Sequence, residues 1–198
     1  TGNSIASSQI ALDGDSMNRP IAALEVGEMN APEVQLYRYE SGAWSTHGSV
    51  YAPGGSAVML DILALEVVGD TPYLVVDTTD SSGYQALCDL VVWNGTAWTN
   101  LDLSSQLTDP AHVMHLAVVE NEASSGVYAV ASYRDTGDAY HVELWEYDGS
   151  AWNKIAPTIS PAYGVDSVGV ALDSVSRPVI VYERGDNGAL YAKGYRTP

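Results

Sequence analysis

Residues 39–44 read YESGAW, residues 93–98 read WNGTAW and residues 147–152 read YDGSAW. Each copy has an aromatic residue, three residues common in turns, and then Ala-Trp, and we call it the aromatic-turn-Trp motif. The three final tryptophans lie 54 residues apart. Asn94-Gly95 and Asp148-Gly149 accept positive φ at both positions, which predicts a tight two-residue hairpin turn. The two aromatic residues that flank such a turn would form a cross-strand pair.

Four short apolar segments accompany the motif in each repeat. The first segments are centred on four equivalent residues: Leu12, Leu65, Val118 and Leu172. The second segment opens with proline in three repeats, which suits the first residue of a strand, and with Gly126 in the third. The third segment leads into the motif, and the fourth begins at its tryptophan. Since the segments are rich in Val, Leu, Tyr and Trp and no long stretch keeps a helical stripe, we expect strands and little helix.

Repeats of about 50 residues that hold four strands each predict a β-propeller. We expect an all-β fold of four blades with four antiparallel strands each, in one domain that covers residues 1–198. The blades would span about 8–54, 55–108, 109–162 and 163–198. Since the fourth repeat ends before its outer strand, residues 1–7 are expected to supply that strand and close the ring. The alternatives are a piece of a larger propeller, or half of one assembled from two copies, so both monomer and dimer stay open.

The apolar pattern also predicts which strands are buried. The first and second strands of each repeat are nearly all apolar, which predicts burial on both faces. The third strand alternates: Val142 and Leu144 would face one way, and Glu143 the other.

The composition excludes several function classes. The chain has 25 acidic and 8 basic residues and a net charge of −17. This balance argues against nucleic acid and anionic membrane surfaces as partners, because both require clustered Lys and Arg. Its apolar runs are too short to cross a bilayer, and its first residues lack the pattern of a signal peptide. Cys88 is the single cysteine, so no intrachain disulfide is expected.

The last two repeats carry a resemblance to a known class of protein. Residues 171–173 read ALD, residues 177–184 read RPVIVYER, and residues 144–152 read LWEYDGSAW. Together they resemble the propeller repeats of bacterial secreted and surface proteins, which implies the same fold and an extracellular or cell-surface location. Gly126 and the Glu-Ser-Gly turn of the first motif depart from that pattern. The motif is not the Asp-box of sialidases, because Asp148 stands four residues before Trp152 instead of five.

The loops that would gather at one end of a propeller are aromatic and acidic. Such loops join one blade to the next, or the second strand to the third. The candidate ligand-binding residues on them are Tyr51, Tyr84, Tyr140, Tyr163, Asp80, Asp135, Asp166, Asp186 and His112. Aromatic faces stack on sugars and carboxylates accept hydrogen bonds from hydroxyl groups, which favours a glycan as the ligand. The alternative is that these tyrosines pack against their own loops.

Other chemistry has weaker support in the sequence. His112 and His115 would point to opposite faces of a regular strand, so we expect no shared metal there. Residues 13–18, DGDSMN, offer several oxygen atoms but lack the glycine and glutamate of a calcium loop, so an ordinary turn is expected. We therefore expect no cofactor, with calcium as an open alternative. No set of residues has the pattern of a nucleophile with its base.

These patterns favour a binding or interaction module without enzymatic activity, with a glycan or a protein as its ligand. Two alternatives remain open. One is a small glycoside hydrolase or lyase with acidic residues at the mouth of the ring. The other is a structural spacer domain with no ligand of its own.

Overall fold

The computed structural model describes residues 10–28, 31–53, 57–80, 85–122 and 124–195. Within these ranges the chain forms fifteen β-strands and one short 3-10 helix, η1 (Leu103–Gln106). The all-β prediction is therefore confirmed. No helix in this described part of the chain is long and apolar enough to cross a membrane.

The strands form four antiparallel sheets, one from each repeat. The first sheet contains β1 (Ile10–Gly14), β2 (Pro20–Glu28), β3 (Ala31–Glu40) and β4 (Ala43–Thr46). The second contains β5 (Ala57–Val68), β6 (Thr71–Asp80), β7 (Gln85–Trp93) and β8 (Trp98–Asn100). The third contains β9 (Pro110–Asn121), β10 (Gly126–Asp135), β11 (Tyr140–Tyr147) and β12 (Trp152–Lys154). The fourth contains β13 (Val165–Leu172), β14 (Pro178–Arg184) and β15 (Leu190–Gly194).

Strands adjacent in each sheet are also consecutive in the sequence, as in a propeller blade. Four successive sheets fit the prediction of four blades. Residues 1–7, which we expect to complete the fourth sheet, lie outside the described residues. Closure of the ring by these residues remains a prediction.

The sheets fall into two compact units, Thr1–Leu101 and Asp102–Pro198. The core of the first unit lies between its two sheets and includes Leu36, Leu74 and Val91. The core of the second unit includes Leu144 and Ile180. Each unit thus buries the apolar faces of two sheets against each other.

The predicted burial of the first and second strands is correct in some repeats and wrong in others. The second strand β6 is buried on both faces, with Leu74, Val75 and Val76 at 0% exposure. The first strand β1 instead leaves Ile10 58% and Leu12 62% exposed. The first strand β5 by contrast buries Leu60, Ile62 and Leu65, and the second strand β14 leaves Val181 37% exposed.

The third strand β11 buries the face that carries Glu143 as well as the face that carries Leu144. Glu143 is only 1% exposed, although it points away from Leu144. Tyr133, Trp145, Lys154 and Thr158 cover this carboxylate and donate hydrogen bonds to it. Both faces of β11 are therefore buried.

The predicted aromatic pairs are present in all three motifs. The ring centroids are 5.4 Å apart in the first motif, 5.6 Å in the second and 5.2 Å in the third. These pairs flank the turns in register: Tyr39 lies opposite Trp44, Trp93 opposite Trp98, and Tyr147 opposite Trp152.

The predicted two-residue turns at Asn94-Gly95 and Asp148-Gly149 are wrong. Both hairpins close with four-residue loops, and in each only the glycine has positive φ. The Asn94 Oδ1 atom accepts hydrogen bonds from the backbone N–H groups two and three residues later, at 3.0 and 2.9 Å. Asp148 does the same, and these bonds lower its pKa to about 2. In each hairpin the Asn or Asp side chain thus organises a four-residue loop in place of the expected two-residue turn.

The first motif, which departs from the pattern, contains the two-residue turn. Glu40 pairs with Ala43, so Ser41 and Gly42 alone form the loop. Both have positive φ, 54° for Ser41 and 86° for Gly42. These angles match the mirror-image turns that suit twisted hairpins.

The other departure from the pattern, Gly126, has a steric cause. A Cβ atom at this position would lie 1.6 Å from the carbonyl oxygen of Tyr147. No side chain fits there, so the strand opens with glycine where other repeats have proline.

The loop between β1 and β2 is an ordinary turn, as the sequence predicted. The Asp15 carboxylate accepts hydrogen bonds from the N–H groups of Met17 and Arg19 at 3.0 and 2.9 Å, and from Arg19 Nε at 2.6 Å. Burial acts to raise the pKa of Asp15, but these bonds outweigh it, so the pKa is lowered. Asp13 Oδ2 accepts a hydrogen bond from the N–H of Val67 at 2.6 Å. Both carboxylates are thus engaged within the protein.

Candidate functional site

Three loops of the second unit meet at one end of its two sheets. They are residues 136–139 between β10 and β11, residues 155–164 between β12 and β13, and residues 185–189 between β14 and β15. The N–H of Gly185 donates to the carbonyl of Gly164 at 2.8 Å, which joins two of them. A Cβ at Gly164 would lie 3.6 Å from the ring of Tyr140, so this ring packs against the same segment. We call this region the loop end of the second unit.

Arg184 and two tyrosines form an aromatic platform at the loop end. The guanidinium carbon of Arg184 lies 5.0 Å from the ring centroid of Tyr163 and 5.5 Å from that of Tyr191. Arg184 donates two hydrogen bonds to the Asp186 carboxylate, at 3.0 and 2.6 Å, and one to the Tyr191 hydroxyl at 2.9 Å. The bonds to Asp186 raise the pKa of Arg184. Because these hydrogen bonds engage its donors, the guanidinium is held in place beside Tyr163, a residue that is 51% exposed.

His141 lies between a carboxylate and a hydroxyl group at the loop end. Its Nε2 atom is 2.8 Å from Asp135 Oδ2, and its Nδ1 atom is 3.1 Å from Ser160 Oγ. The other oxygen of Asp135 accepts hydrogen bonds from the N–H groups of Gly137 and Ala139, at 2.8 and 2.9 Å. The bond with His141, followed by that from Ala139, lowers the pKa of Asp135. Asp135 is therefore a fixed, ionised acceptor.

A buried polar network lies on β11 and its neighbours next to this histidine. The ring centroids of His141 and Tyr133 are 5.0 Å apart. The Tyr133 hydroxyl donates to Glu143 Oε1 at 3.0 Å, and Lys154 Nζ reaches the same oxygen at 2.5 Å. Burial and the charge of Glu143 raise the pKa of Tyr133 to about 12. Tyr133 thus stays a neutral hydrogen-bond donor and supports one face of the His141 ring.

The structure brings together four of the residues predicted for binding: Tyr140, Tyr163, Asp135 and Asp186. Asp166 belongs to the same end, because a Cβ at Gly185 would lie 2.6 Å from its Oδ1 atom. His112 is partly buried on β9, opposite Arg134.

The expectation that His112 and His115 face opposite ways is wrong. The register of β9 against β10 shifts between Val113 and His115, so His115 pairs with Ser132 and His112 with Arg134. Ser132 and Arg134 are two residues apart on β10 and share a face, so both histidines lie on that face. No group of three metal-binding side chains occurs among the described residues.

The remaining predicted residues belong to the first unit. Tyr51 packs against the core of that unit and against Trp98, with ring centroids 5.7 Å apart. Burial, together with the charge of Asp89, raises its pKa to about 12. Its contacts are those of a packing residue. Tyr84 lies outside the described residues, and of Asp80 only the backbone is described.

Sequence reasoning missed Arg184, His141 and Ser160. His141 has no partner nearby in the sequence, because Ser160 lies 19 residues away in a loop. The nearby acidic residues give no signal that one of them holds the imidazole. Arg184 ends a strand and precedes Gly185, so its position beside a loop was the available signal.

No protein-family model matches the chain, and no curated protein matches it. Among solved structures, the Hadza microbial sialidase Hz136 superposes with a TM-score of 0.64 at 12% identity, over 94% of this chain and 44% of that one. A Trypanosoma rangeli sialidase superposes with a TM-score of 0.67 at 11% identity, over 98% of this chain and 36% of that one. The fold is that of a β-propeller.

A third solved structure, the polysaccharide lyase Uly1, has a TM-score of 0.45 at 9% identity, over 96% of this chain and 49% of that one. The chain thus spans less than half the length of each of these three proteins. At such low identity the likeness shows the fold alone. The resemblance to bacterial surface repeats stays a prediction.

Proposed function

We propose that this chain is a carbohydrate-binding β-propeller module whose site is the loop end of the second unit. The observation that carries the proposal is Tyr163, which offers a half-exposed ring to solvent while Arg184 lies 5.0 Å from its centroid. A ring fixed in this way can stack on the C–H face of a sugar without losing much side-chain freedom.

Polar groups around Tyr163 supply what a sugar requires beside an aromatic face. The Asp135 carboxylate and the Ser160 hydroxyl lie within the same loops, and both can accept hydrogen bonds from sugar hydroxyl groups. Two solved structures that share the fold are named sialidases, which supports a glycan as the class of ligand. Because the chain has a net charge of −17, it repels polyanions, and neutral glycans are the expected ligands.

Five carboxyl groups do not fit the general acid of the glycoside hydrolase alternative. A general acid for that reaction needs a carboxyl group with a raised pKa. The pKa is lowered for Asp15, Asp135, Glu143, Asp148 and Asp173, which is the opposite of what this role requires.

A glycan array tests the proposal, with and without calcium, followed by calorimetry on any neutral glycan that binds. Tyr163→Ala should weaken binding at least about 10-fold, which corresponds to the loss of one good aromatic contact. Tyr39→Ala is the matched control, because Tyr39 is also an exposed aromatic residue, at 39%, but lies in the first unit. Equal affinity of the two variants would refute the site. A blank array in both conditions would favour the spacer alternative.

A further inference from the structure

Ser160, His141 and Asp135 form a chain of hydrogen bonds with the order of a hydrolytic triad. The hydroxyl lies 3.1 Å from one ring nitrogen of His141, and the carboxylate lies 2.8 Å from the other. Binding a sugar does not require this order. A hydroxyl group activated by a base that a third group orients is instead the arrangement of nucleophilic catalysis.

The contacts select the tautomer of the neutral imidazole. An ionised carboxylate can only accept, so the Nε2 atom of His141 must carry the proton that it donates to Asp135. In the neutral ring the Nδ1 lone pair then faces Ser160, and it can accept the hydroxyl proton. This is the tautomer that a general base requires.

Asp135 and His141 are held in place by their neighbours, while the nucleophile stays open to solvent. Asp135 is anchored by two backbone N–H groups, and the His141 ring packs against Tyr133 at a tilt of 35°. The side chains of His141 and Asp135 are 16% and 23% exposed, whereas Ser160 is exposed. A substrate can therefore reach the hydroxyl without displacing the groups behind it.

Ser160 is also next to the aromatic platform. It lies three residues before Tyr163 in the same loop, and Tyr140, the neighbour of His141, packs against Gly164 in that loop. A sugar stacked on Tyr163 would bring its substituents toward this part of the loop end.

We propose that Ser160 is the nucleophile and His141 the general base of a site that hydrolyses carboxylic esters carried by sugars, with Asp135 as a positioning residue. This activity goes beyond binding, and its substrate class rests on the proposed function. Ser160 Oγ forms a bond to the carbonyl carbon while its proton passes to His141 Nδ1. The sugar oxygen leaves as the ester C–O bond breaks, and it takes that proton from His141. Water then repeats the two transfers, which releases the carboxylic acid and restores Ser160.

Labelling with a fluorophosphonate probe tests the nucleophile, with intact mass and peptide mapping as the readout. The expected result is a single adduct on Ser160, because the activated hydroxyl displaces fluoride from phosphorus. Ser160→Ala should remove the adduct. Asp135→Asn should slow both labelling and the hydrolysis of 4-nitrophenyl acetate about 100-fold, which is within the range for loss of general-base function. It should also shift the pH midpoint of the hydrolysis rate. Ser150→Ala is the matched control, since Ser150 is exposed and bonded to Asp148 but has no histidine beside it.

The outcomes separate this proposal from the binding function. Absence of an adduct in folded wild-type protein, or an unchanged rate in Asp135→Asn, would overturn the triad, whatever the glycan array shows. An adduct on Ser160 without glycan binding would instead support the nucleophile and refute the proposed function. Circular dichroism spectra of each variant establish that it is folded.

Discussion

Replacing Lys154 by methionine tests whether the buried carboxylate of Glu143 depends on its countercharge. The Lys154 ammonium lies 2.5 Å from Glu143 Oε1, and the side chain of Glu143 is 0% exposed while that of Lys154 is 30% exposed. Methionine keeps most of the length and apolar area of lysine but removes the charge. The carboxylate would keep its bonds from Tyr133, Trp145 and Thr158 and lose its ion pair.

The expected loss of unfolding free energy is about 3 kcal/mol at pH 7. Removal of one partner from a buried ion pair typically costs about 3–5 kcal/mol, and the partial exposure of Lys154 places this pair at the lower end. Urea denaturation followed by tryptophan fluorescence measures the difference. Lys193→Met is the matched control, because Lys193 lies on an exposed strand and contacts the Tyr195 ring. We expect its effect to stay within about 0.5 kcal/mol.

The pH dependence gives a second, independent check. In the wild type, burial acts to raise the pKa of Glu143, and the bonds from Lys154, Thr158 and Tyr133 outweigh it, so the pKa is lowered. The ionised group therefore contributes stability above its unfolded pKa, and this contribution is lost as pH falls through the folded pKa. Without Lys154, burial would dominate and the carboxylate would destabilise the fold until it is protonated.

The difference between wild type and Lys154→Met should thus be largest at neutral pH and shrink below about pH 4, near the unfolded pKa of a glutamate. Adding Glu143→Gln to the variant should recover part of the loss, because no unpaired charge remains. The reasoning would be refuted if Lys154→Met behaved like the Lys193→Met control, or if the difference stayed constant with pH.

Three further predictions concern stability. Gly126→Ala should destabilise the fold by about 3 kcal/mol or prevent folding, because its Cβ would overlap the Tyr147 carbonyl. The control Gly169→Ala has no atom within 4 Å of its Cβ, so thermal melts should show it to be neutral or slightly stabilising. Trp98→Ala should cost about 3 kcal/mol, since its ring packs on the core of the first unit and its Nε1–H donates to the Ser49 carbonyl at 2.8 Å. A cost near zero in urea denaturation would show that its packing contributes little. Deletion of residues 1–7 should lower the melting temperature strongly if they close the last blade, and an unchanged melting temperature would reject that closure.

The sequence alone determined the repeat, the strands and the aromatic pairs. These features depend on local periodicity and on residues that flank a single hairpin, so the pairing of Tyr39 with Trp44 and of Tyr147 with Trp152 follows directly from the motif. Part of the candidate site followed as well, because loop positions within a repeat can be counted. The loop positions counted in this way place Tyr140, Tyr163 and Asp135 in the predicted binding region.

Tertiary structure decided what those loops can do. The bulge at Met114 shifts the register of β9 by one residue, and a one-residue shift reverses the face of a side chain. Glu143 is buried because Lys154 and Thr158 come back over it, which alternation along β11 does not encode. Ser160 meets His141 because two segments far apart in the chain converge, and the contact depends on the path of both. Strand periodicity depends on residues that are neighbours in the chain, whereas the chemistry of the loop end of the second unit depends on residues that are neighbours only in space.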